Sequence, residues 1–464
     1  MAMIAAERRA TAGLAGIYAL RMLGLFIVLP VLALAARDLA AATPFLVGVA
    51  LGIYGLTQAV LQVPFGLLSD RLGRRRVILF GLLLFAIGSA LCAVADSIWG
   101  IIAGRALQGA GAIAAALMAL AADLTRDSVR TRTMALIGIS IGAAFSLALL
   151  LGPLVHGWLG LDGLFWLTTG LALVAMVLLY TVVPEPRRRQ PQRETSPVRA
   201  QLGAVIAHRE LLRLDVGIFA LHCLMTATFV ALPLNLEAAG LPGSSHWQVY
   251  LPVLAGSVVG MVPLILAEER GRRARAAFLG AIMLIAVGQF GLALGGADLL
   301  AIAALLLLFF VGFNYLEATL PARISRAAPA AHKGTAMGVY ASAQFLGAFT
   351  GGLIAGGVQQ FAGDAAVFGV LGAIALLWLL YALGMPEPRR GQSVLVRLEE
   401  ASLRQPDEFA VRLRGLAGVE EAVVVAEEGV AYLKVDPEVF DGAAVRALGG
   451  YVAGDGERAE VTHA

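Results

Sequence analysis

The sequence predicts an all-α membrane protein of twelve transmembrane helices in two six-helix halves, followed by a small α+β domain of ferredoxin-like type. Three observations predict it. Of 464 residues, 59% are apolar and 14% charged, against ~25% charged in a soluble globular chain. Apolar stretches of roughly 20 residues, each able to cross a ~30 Å hydrocarbon core as a helix, recur along most of the length. The connections between them alternate between arginine-rich and cation-poor.

The predicted spans are 11–36, 45–69, 76–95, 98–123, 132–157, 162–183, 212–236, 246–267, 275–295, 298–321, 334–358 and 363–385. Arg8/Arg9, Arg71–Arg76, Arg126/Arg130/Arg132, Arg187–Arg213, Arg270–Arg275, Arg323/Arg326/Lys333 and Arg389/Arg390 fall on one side. The other side holds Arg37 and almost no other cation. This positive-inside pattern places both termini in the cytoplasm and supports an even number of spans. The segment "RRATAGLAGIYAL" with Ala33-Leu34-Ala35 behind it has the look of a signal sequence. Its apolar run is too long, and it reads as an uncleaved first helix.

Span six ends an N-terminal half at 1–183, and a linker follows at 184–211. The linker opens Pro/Arg-rich, and Leu202, Val205, Ile206 and Leu212 space as a short amphipathic helix for the membrane surface. A second half follows at 212–385, so an internal duplication is expected. Gly48/Gly52, Gly138/Gly142, Gly256/Gly260, Gly347/Gly351 and Gly352/Gly356 are small-xxx-small pairs that let helices approach closely in lipid.

Residues 393–464 change character: charged, with no long apolar run. "SVLVRLEE" and "EAVVVAEEGVAYLKV" read as strands, the second folded into a hairpin at Glu428-Gly429. "PDEFAVRLRGL" and "EVFDGAAVRALGG" read as helices. The order β-α-β-β-α suggests a ferredoxin-like sandwich, with a last strand near Arg458–Thr462. The segment has no cysteine, so metal carriage is rejected; regulation or an oligomer contact is the expected role. Cys92 and Cys223, both inside spans, offer neither a disulfide framework nor metal spacing. The net charge of +3 gives no reason to expect nucleic acid. Scattered histidines and no nucleophile–base spacing argue against an enzyme.

"GLLSDRLGRRR" between spans two and three fits the pattern G-x3-D-R/K-x-G-R/K-R/K through Gly66, Asp70, Arg71, Gly73, Arg74 and Arg75. "GRALQGAGA" in span four fits R-x-x-Q-G through Arg105, Gln108 and Gly109. "LLLGPLVHG" in span five partly fits a Gly-Pro pattern through Gly152, Pro153 and Gly157. On these motifs the chain resembles the major facilitator superfamily. "LRMLGLFIVLPVL", "GIYGLTQAV", "FVALPLNL" and "KGTAMGVYASAQFLG" resemble its bacterial YajR-type branch, whose members carry a ferredoxin-like (YAM) domain after span twelve.

The resemblance implies a secondary transporter working by alternating access. The Gly-Pro pattern implies drug/proton antiport, although its outer glycines depart from the fuller form. The loop pattern implies a latch between the halves. Asp70 can face the positive N-terminus of span eleven near Lys333–Met337, and Arg74 can reach Asp123. The family picture has this clasp favour the outward-open state. A plain positive-inside anchor would account for the arginines but not for Asp70, Gly66 or Asp123.

Ionisable groups at mid-bilayer cost ~2.5–3.5 kcal/mol on insertion scales, so each needs a reason. Glu317 in span ten is the first candidate for proton carrier; the alternative is a structural ion pair. His222 in span seven is a second candidate, or a neutral hydrogen-bonded core residue. Arg105 is implicated in proton coupling by the resemblance, or packs helices. Arg21 in span one neutralises a cavity carboxylate or binds an anion. Tyr54, Gln58 and Gln62 recur at i, i+4 and i+8 on span two, and with Asn314 and Gln344 they are candidates to line a cavity or to bond helices together. With no G-x4-G-K-[ST] loop, no cofactor is expected and the energy source is a proton gradient. The expected function is export of small molecules by proton antiport. Uptake by proton symport, or a membrane sensor signalling through 393–464, are the alternatives. The sequence leaves the substrate open.

Overall fold

The computed structural model describes residues 3–185, 203, 205–269, 273–295, 298–328, 333–385, 392–399, 405–426, 429–436 and 439–452. Span one is α1 (Ala5–Phe26) and α2 (Leu32–Ala35), separated by turns around Pro30. Proline lacks the N–H that a continuous helix would need there. Span two is α3 (Pro44–Leu72), capped by the Thr43 hydroxyl, which accepts from the Leu46 N–H. Span three is α4 (Arg74–Ala93). Span four is broken into α5 (Ile98–Ala110) and α6 (Ala114–Asp123).

Spans five and six run together as α7 (Asp127–Thr181), bent at Gly160, whose φ is 69°. Its apolar part, Arg132–Thr181, is 50 residues, about 75 Å at 1.5 Å per residue and so long enough for two crossings. The second half is α8 (Arg209–Ala238), α9 (Trp247–Glu269), α10 (Ala274–Leu294), α11 (Leu299–Ala327), α12 (Lys333–Ala362) and α13 (Asp364–Ala382). Ten stretches among the described residues are long and apolar enough to cross a membrane. The double-length α7 and the first helix bring these into line with twelve spans.

The sequence expectation differs at two places besides the breaks. Of the proposed surface helix, Leu202 lies outside the described residues, 203 and 205–207 are helical with Val205 buried and Ile206 exposed, and Leu212 is already inside α8. The strand expected near Arg458–Thr462 also lies outside them; the fourth strand is Gly450–Val452.

One end of the bundle gathers the arginines, and the two halves use them alike. Arg9 donates to Thr181 O (2.5 Å) and Arg213 to Gly384 O (2.6 Å). Arg75 donates to Leu179 O (2.8 Å) and Arg275 to Leu383 O (2.5 Å). In each half the starts of the first and third spans are thus fastened to the last carbonyls of the sixth, where free C=O groups and the helix dipole favour cations. The two halves carry the same clamp at equivalent positions.

The C-terminal segment forms β1 (Gln392–Leu398), α14 (Pro406–Arg414), β2 (Val419–Val425), β3 (Val430–Val435), α15 (Gly442–Ala447) and β4 (Gly450–Val452). The all-antiparallel sheet has the order β2-β3-β1-β4, with Leu395 opposite Tyr432 and Arg397 opposite Tyr451. This is the ferredoxin-like arrangement. Val396, Phe409, Leu413, Ala422, Ala431, Leu433, Val435 and Val445 make a core of its own.

Candidate functional site

The loop between α3 and α4 is built on Gly73, whose φ of 101° lies where only glycine is unstrained, so the two helices reverse within one residue. The Arg74 guanidinium gathers Asp70, Ser69 Oγ (2.7 Å) and Asp123 Oδ2 (3.4 Å). The expected Arg74–Asp123 pair is therefore present. Arg75 bonds Glu185 (2.8 Å) and stacks on Tyr180 (5.1 Å to the ring centroid). Arg71 is exposed. A Cβ on Gly66 would meet Ala115 at an ordinary 3.6 Å, so packing does not demand this glycine.

Among the described residues no ion pair or hydrogen bond joins Asp70 to the start of span eleven, and the side chain of Lys333 lies outside them. Asp70 is half exposed and its partner, Arg74, lies in its own half. At this end a Cβ on Gly334 or Gly338 of α12 would find nothing within 4 Å, unlike the glycines farther along the same helix.

The halves meet at the other, cation-poor end. Gly48, Gly52 and Gly55 of α3 lie so close to α12 that a Cβ would stand 2.2 Å from Gly352 O, 2.7 Å from Phe349 O and 2.4 Å from Phe345 O. Arg37 pairs with Glu237 at 3.0 Å across the halves, and the Phe45 N–H donates to Gln360 Oε1 at 3.3 Å. The span-five Gly-Pro motif belongs to this closure. Gly152 packs on Ile27 O at the break of span one, Gly157 packs on Ser244 of the second half, and Pro153 lies between them inside α7.

The polar candidates form two clusters, one per half. In the N-terminal half, Arg21 is 1% exposed and its Nη2 donates to Tyr54 Oη (2.8 Å), Gln58 Oε1 (2.9 Å) and Gly111 O (2.8 Å). Gly111 lies at the break of span four, so Arg21 holds that break closed. Its Nε and Nη1 have no hydrogen-bond partner. Gln58 donates onward to Gln62 (2.9 Å). Arg105 bonds Gln108 Oε1 (3.0 Å) and the Ala50 carbonyl (3.4 Å), with its guanidinium 5.3 Å from the centre of the Tyr54 ring. Gln108 reaches Ser89 Oγ (2.8 Å), and Gly109 allows α5 against the Tyr54 backbone. The R-x-x-Q-G residues thus join α5 to α3 and α4.

In the second half, Glu317 of α11, His222 of α8 and Gln344 of α12 converge. The Gln344 amide nitrogen is 2.8 Å from His222 Nε2 and donates to Glu317 Oε1 at 3.3 Å. Glu317 Oε2 and His222 Nε2 are 3.8 Å apart. The Glu317 side chain is 39% exposed, the His222 side chain 10%. No arginine pairs with Glu317 among these contacts, which disfavours the structural ion pair. A single side-chain amide ties a carboxylate and an imidazole into one unit that can bind or release a proton. Asn314 lies apart, donating to Ser257 Oγ (2.8 Å) on α9. The Tyr54 and Phe345 rings, 6.3 Å apart, join the two clusters across the halves.

Sequence reasoning missed a second ion cluster at the arginine-rich end. Glu268 Oε2 accepts from Tyr315 Oη and Arg323 Nη2, both at 2.5 Å, and Arg323 lies over Phe278 (4.4 Å). Glu268 ends α9 as Asp70 ends α3, so the repeat could have revealed it. Outside the membrane, Arg126 bonds both carboxylate oxygens of Glu7 and holds its carboxyl down to about 2.

Residues 14–352 match the Major Facilitator Superfamily. The chain belongs to that superfamily. It is 44% identical over 433 residues to the inner membrane transport protein YajR of Escherichia coli strain K12, covering 93% of this chain and 95% of the relative. It is 28% identical over 372 residues to the multidrug resistance protein MdtH of Aeromonas salmonicida strain A449, covering 77% and 91%. Among solved structures, the D-xylose-proton symporter superposes with a TM-score of 0.66 at 17% identity, over 82% of this chain and 98% of the other. This superfamily member is a multi-pass membrane transporter and not an enzyme.

Proposed function

We propose that this transporter is a proton-coupled antiporter that exports small molecules across the bacterial inner membrane by alternating access. The observation that carries the reading is the Glu317–His222–Gln344 unit. It is a carboxylate and an imidazole inside the bundle, without a cation to pin the charge, on three different helices of one half. An intramembrane acid of this kind marks a proton pathway by default. The absence of a nucleotide loop in the sequence leaves an ion gradient as the energy source. Export is favoured by the Gly-Pro motif at the closing end and by the name of the MdtH relative.

Both termini are placed in the cytoplasm by the arginine distribution. The conformation described is then inward-facing: closed at the cation-poor, external end and open at the arginine-rich end. Protonation of Glu317 would remove its charge before the halves close around it. The ferredoxin-like segment after span twelve, a YAM-type domain in this reading, acts as an accessory cytoplasmic unit with a regulatory or oligomer-contacting role.

The test is proton movement in proteoliposomes under an imposed pH gradient, scored across a library of small amphipathic solutes. Glu317→Gln abolishes proton-driven flux while expression and folding persist. Flux that still follows the pH gradient in Glu317→Gln overturns the assignment.

A further inference from the structure

Two buried polar groups of the second half lie beside the proton unit without belonging to it. Among the described residues, Asp215 of α8, 6% exposed, has no hydrogen-bond partner for its Oδ1, and Tyr340 of α12, 4% exposed, has none for its hydroxyl. Asp215 and His222 are seven residues apart, two turns along one face of α8. Tyr340 and Gln344 are four apart on one face of α12. The two helices pack tightly, with Gly347 against the Phe219 carbonyl and Gly351 against that of Cys223. Asp215 therefore extends the Glu317 unit by about 10 Å toward the arginine-rich end, and Tyr340 lies one turn from Gln344 in the same direction.

The charged neighbours leave Asp215 alone. Arg213 is committed to Gly384 O and Arg323 of α11 to Glu268. Asp215 is the seventh residue of its helix, beyond the first turn where free N–H groups would stabilise an anion. A buried carboxylate without a cation or donor is costly to keep charged, and a bound proton removes that cost.

We propose that Asp215 is a second proton-binding carboxylate of the transport cycle, connected through the Tyr340 hydroxyl to Glu317. The proposal rests on Glu317 carrying the coupled proton. In the transfer, protonated Asp215 gives its proton toward the Tyr340 oxygen as the Tyr340 hydroxyl proton passes to the Glu317 carboxylate. Asp215 ends as a carboxylate, Glu317 as an acid, and Tyr340 as a neutral phenol. Tyr340 Oη is shielded and, among the described residues, unpartnered in this conformation, so the transfer takes place once rotation of the Tyr340 side chain or entry of water completes the hydrogen bonds. Asp215 is then the station between Glu317 and the arginine-rich side.

The experiment is pH-jump infrared difference spectroscopy on the full-length protein in lipid nanodiscs, in H2O and D2O. Two protonated-carboxyl bands are expected in the wild type. Asp215→Asn removes one and Glu317→Gln the other, while Asp215→Glu shifts the first without deleting it, which guards against misfolding of the Asn variant. Tyr340→Phe keeps both bands and slows deuterium exchange at the Glu317 carboxyl. A wild-type spectrum in Asp215→Asn and Asp215→Glu overturns the second site and leaves Glu317 standing. A wild-type spectrum in Glu317→Gln overturns the carrier assignment and the connection with it. Unchanged exchange in Tyr340→Phe overturns the connection.

Discussion

The contact of α3 with α12 permits a prediction with a worked magnitude. A Cβ added at Gly48 would stand 2.2 Å from Gly352 O and 2.9 Å from Gly356 Cα; one added at Gly352 would stand 2.3 Å from Gly48 O. These obstacles are backbone atoms of another helix, so no rotamer change relieves them. Ordinary contact begins near 3.4 Å, and the helices must part by about 1.2 Å. Overpacking of this kind costs ~1–3 kcal/mol, against which alanine recovers about 1 kcal/mol of helix propensity.

Because the clash exists only where the halves meet, it bears on the conformation closed at the cation-poor end and spares one in which these helices separate. A net of up to about 2 kcal/mol shifts the ratio of the two by up to about 30-fold. Spin labels on cysteines introduced at Trp99 and Phe361, exposed and in different halves, report the distance; the native cysteines are buried. Gly48→Ala and Gly352→Ala should each move the distribution to longer distances. Gly138→Ala, where a Cβ meets nothing within 4 Å, should not. An unchanged distribution in Gly48→Ala, or an equal change in Gly138→Ala, refutes the argument.

Three further outcomes are expected. Asp70→Asn leaves the Arg74–Asp123 pair in place but removes the carboxylate that would meet the start of α12 when the arginine-rich end closes. An anion at a helix N-terminus is worth ~0.3–1 kcal/mol, so labels at that end should show the closed population falling by up to about fivefold, and a rise would contradict the latch. Arg21→Ala strands Gly111 O, Gln58 and the Tyr54 hydroxyl in the interior; at ~1.5–3 kcal/mol for a hydrogen bond to a charged group, detergent-solubilised protein should melt measurably lower, and an unchanged melting temperature would show that the break in span four holds without it. Glu7 has its carboxyl lowered from the usual 4.5 to about 2 by Arg126. Its contribution is therefore present above about 4.5 and lost as pH falls toward about 2; the difference in melting temperature between wild type and Glu7→Gln should shrink across that window and stay constant above it.

What the sequence revealed and what it hid follow from the range of each signal. Hydropathy is local and additive, so the spans could be read directly, and the arginine alternation separated the two ends. The breaks at Phe26–Val31 and Gly111–Ile113 escaped, because an interrupted helix stays as apolar as a continuous one. Glu317, His222 and Gln344 stood out singly as polar residues in apolar runs, but their meeting depends on the rotation of three helices, which no spacing within one helix encodes. Asp215 was overlooked because it lies two residues from Arg213, where charge is expected at a span end. Its seven-residue spacing to His222 was the available clue. Asp70 was assigned a partner in the other half, and its partner here is Arg74 of its own.

That last difference connects the two ends of a single helix pair. α3 carries Gly48, Gly52 and Gly55 at one end and Asp70 at the other. α12 carries Gly352 and Gly356 at the first end and its own N-terminus at the second. The glycine end closes by backbone contact, which is short-ranged and indifferent to pH and salt. The charged end would close by a carboxylate meeting a helix dipole, which is longer-ranged, screened by salt and weaker per contact. A rocking motion that brings the two helices together at one end parts them at the other, so closing one end withdraws the other. In the alternating-access reading, the balance between a steric clasp and an electrostatic one then sets the resting conformation. High salt should weaken only the second, biasing the transporter toward the conformation described here.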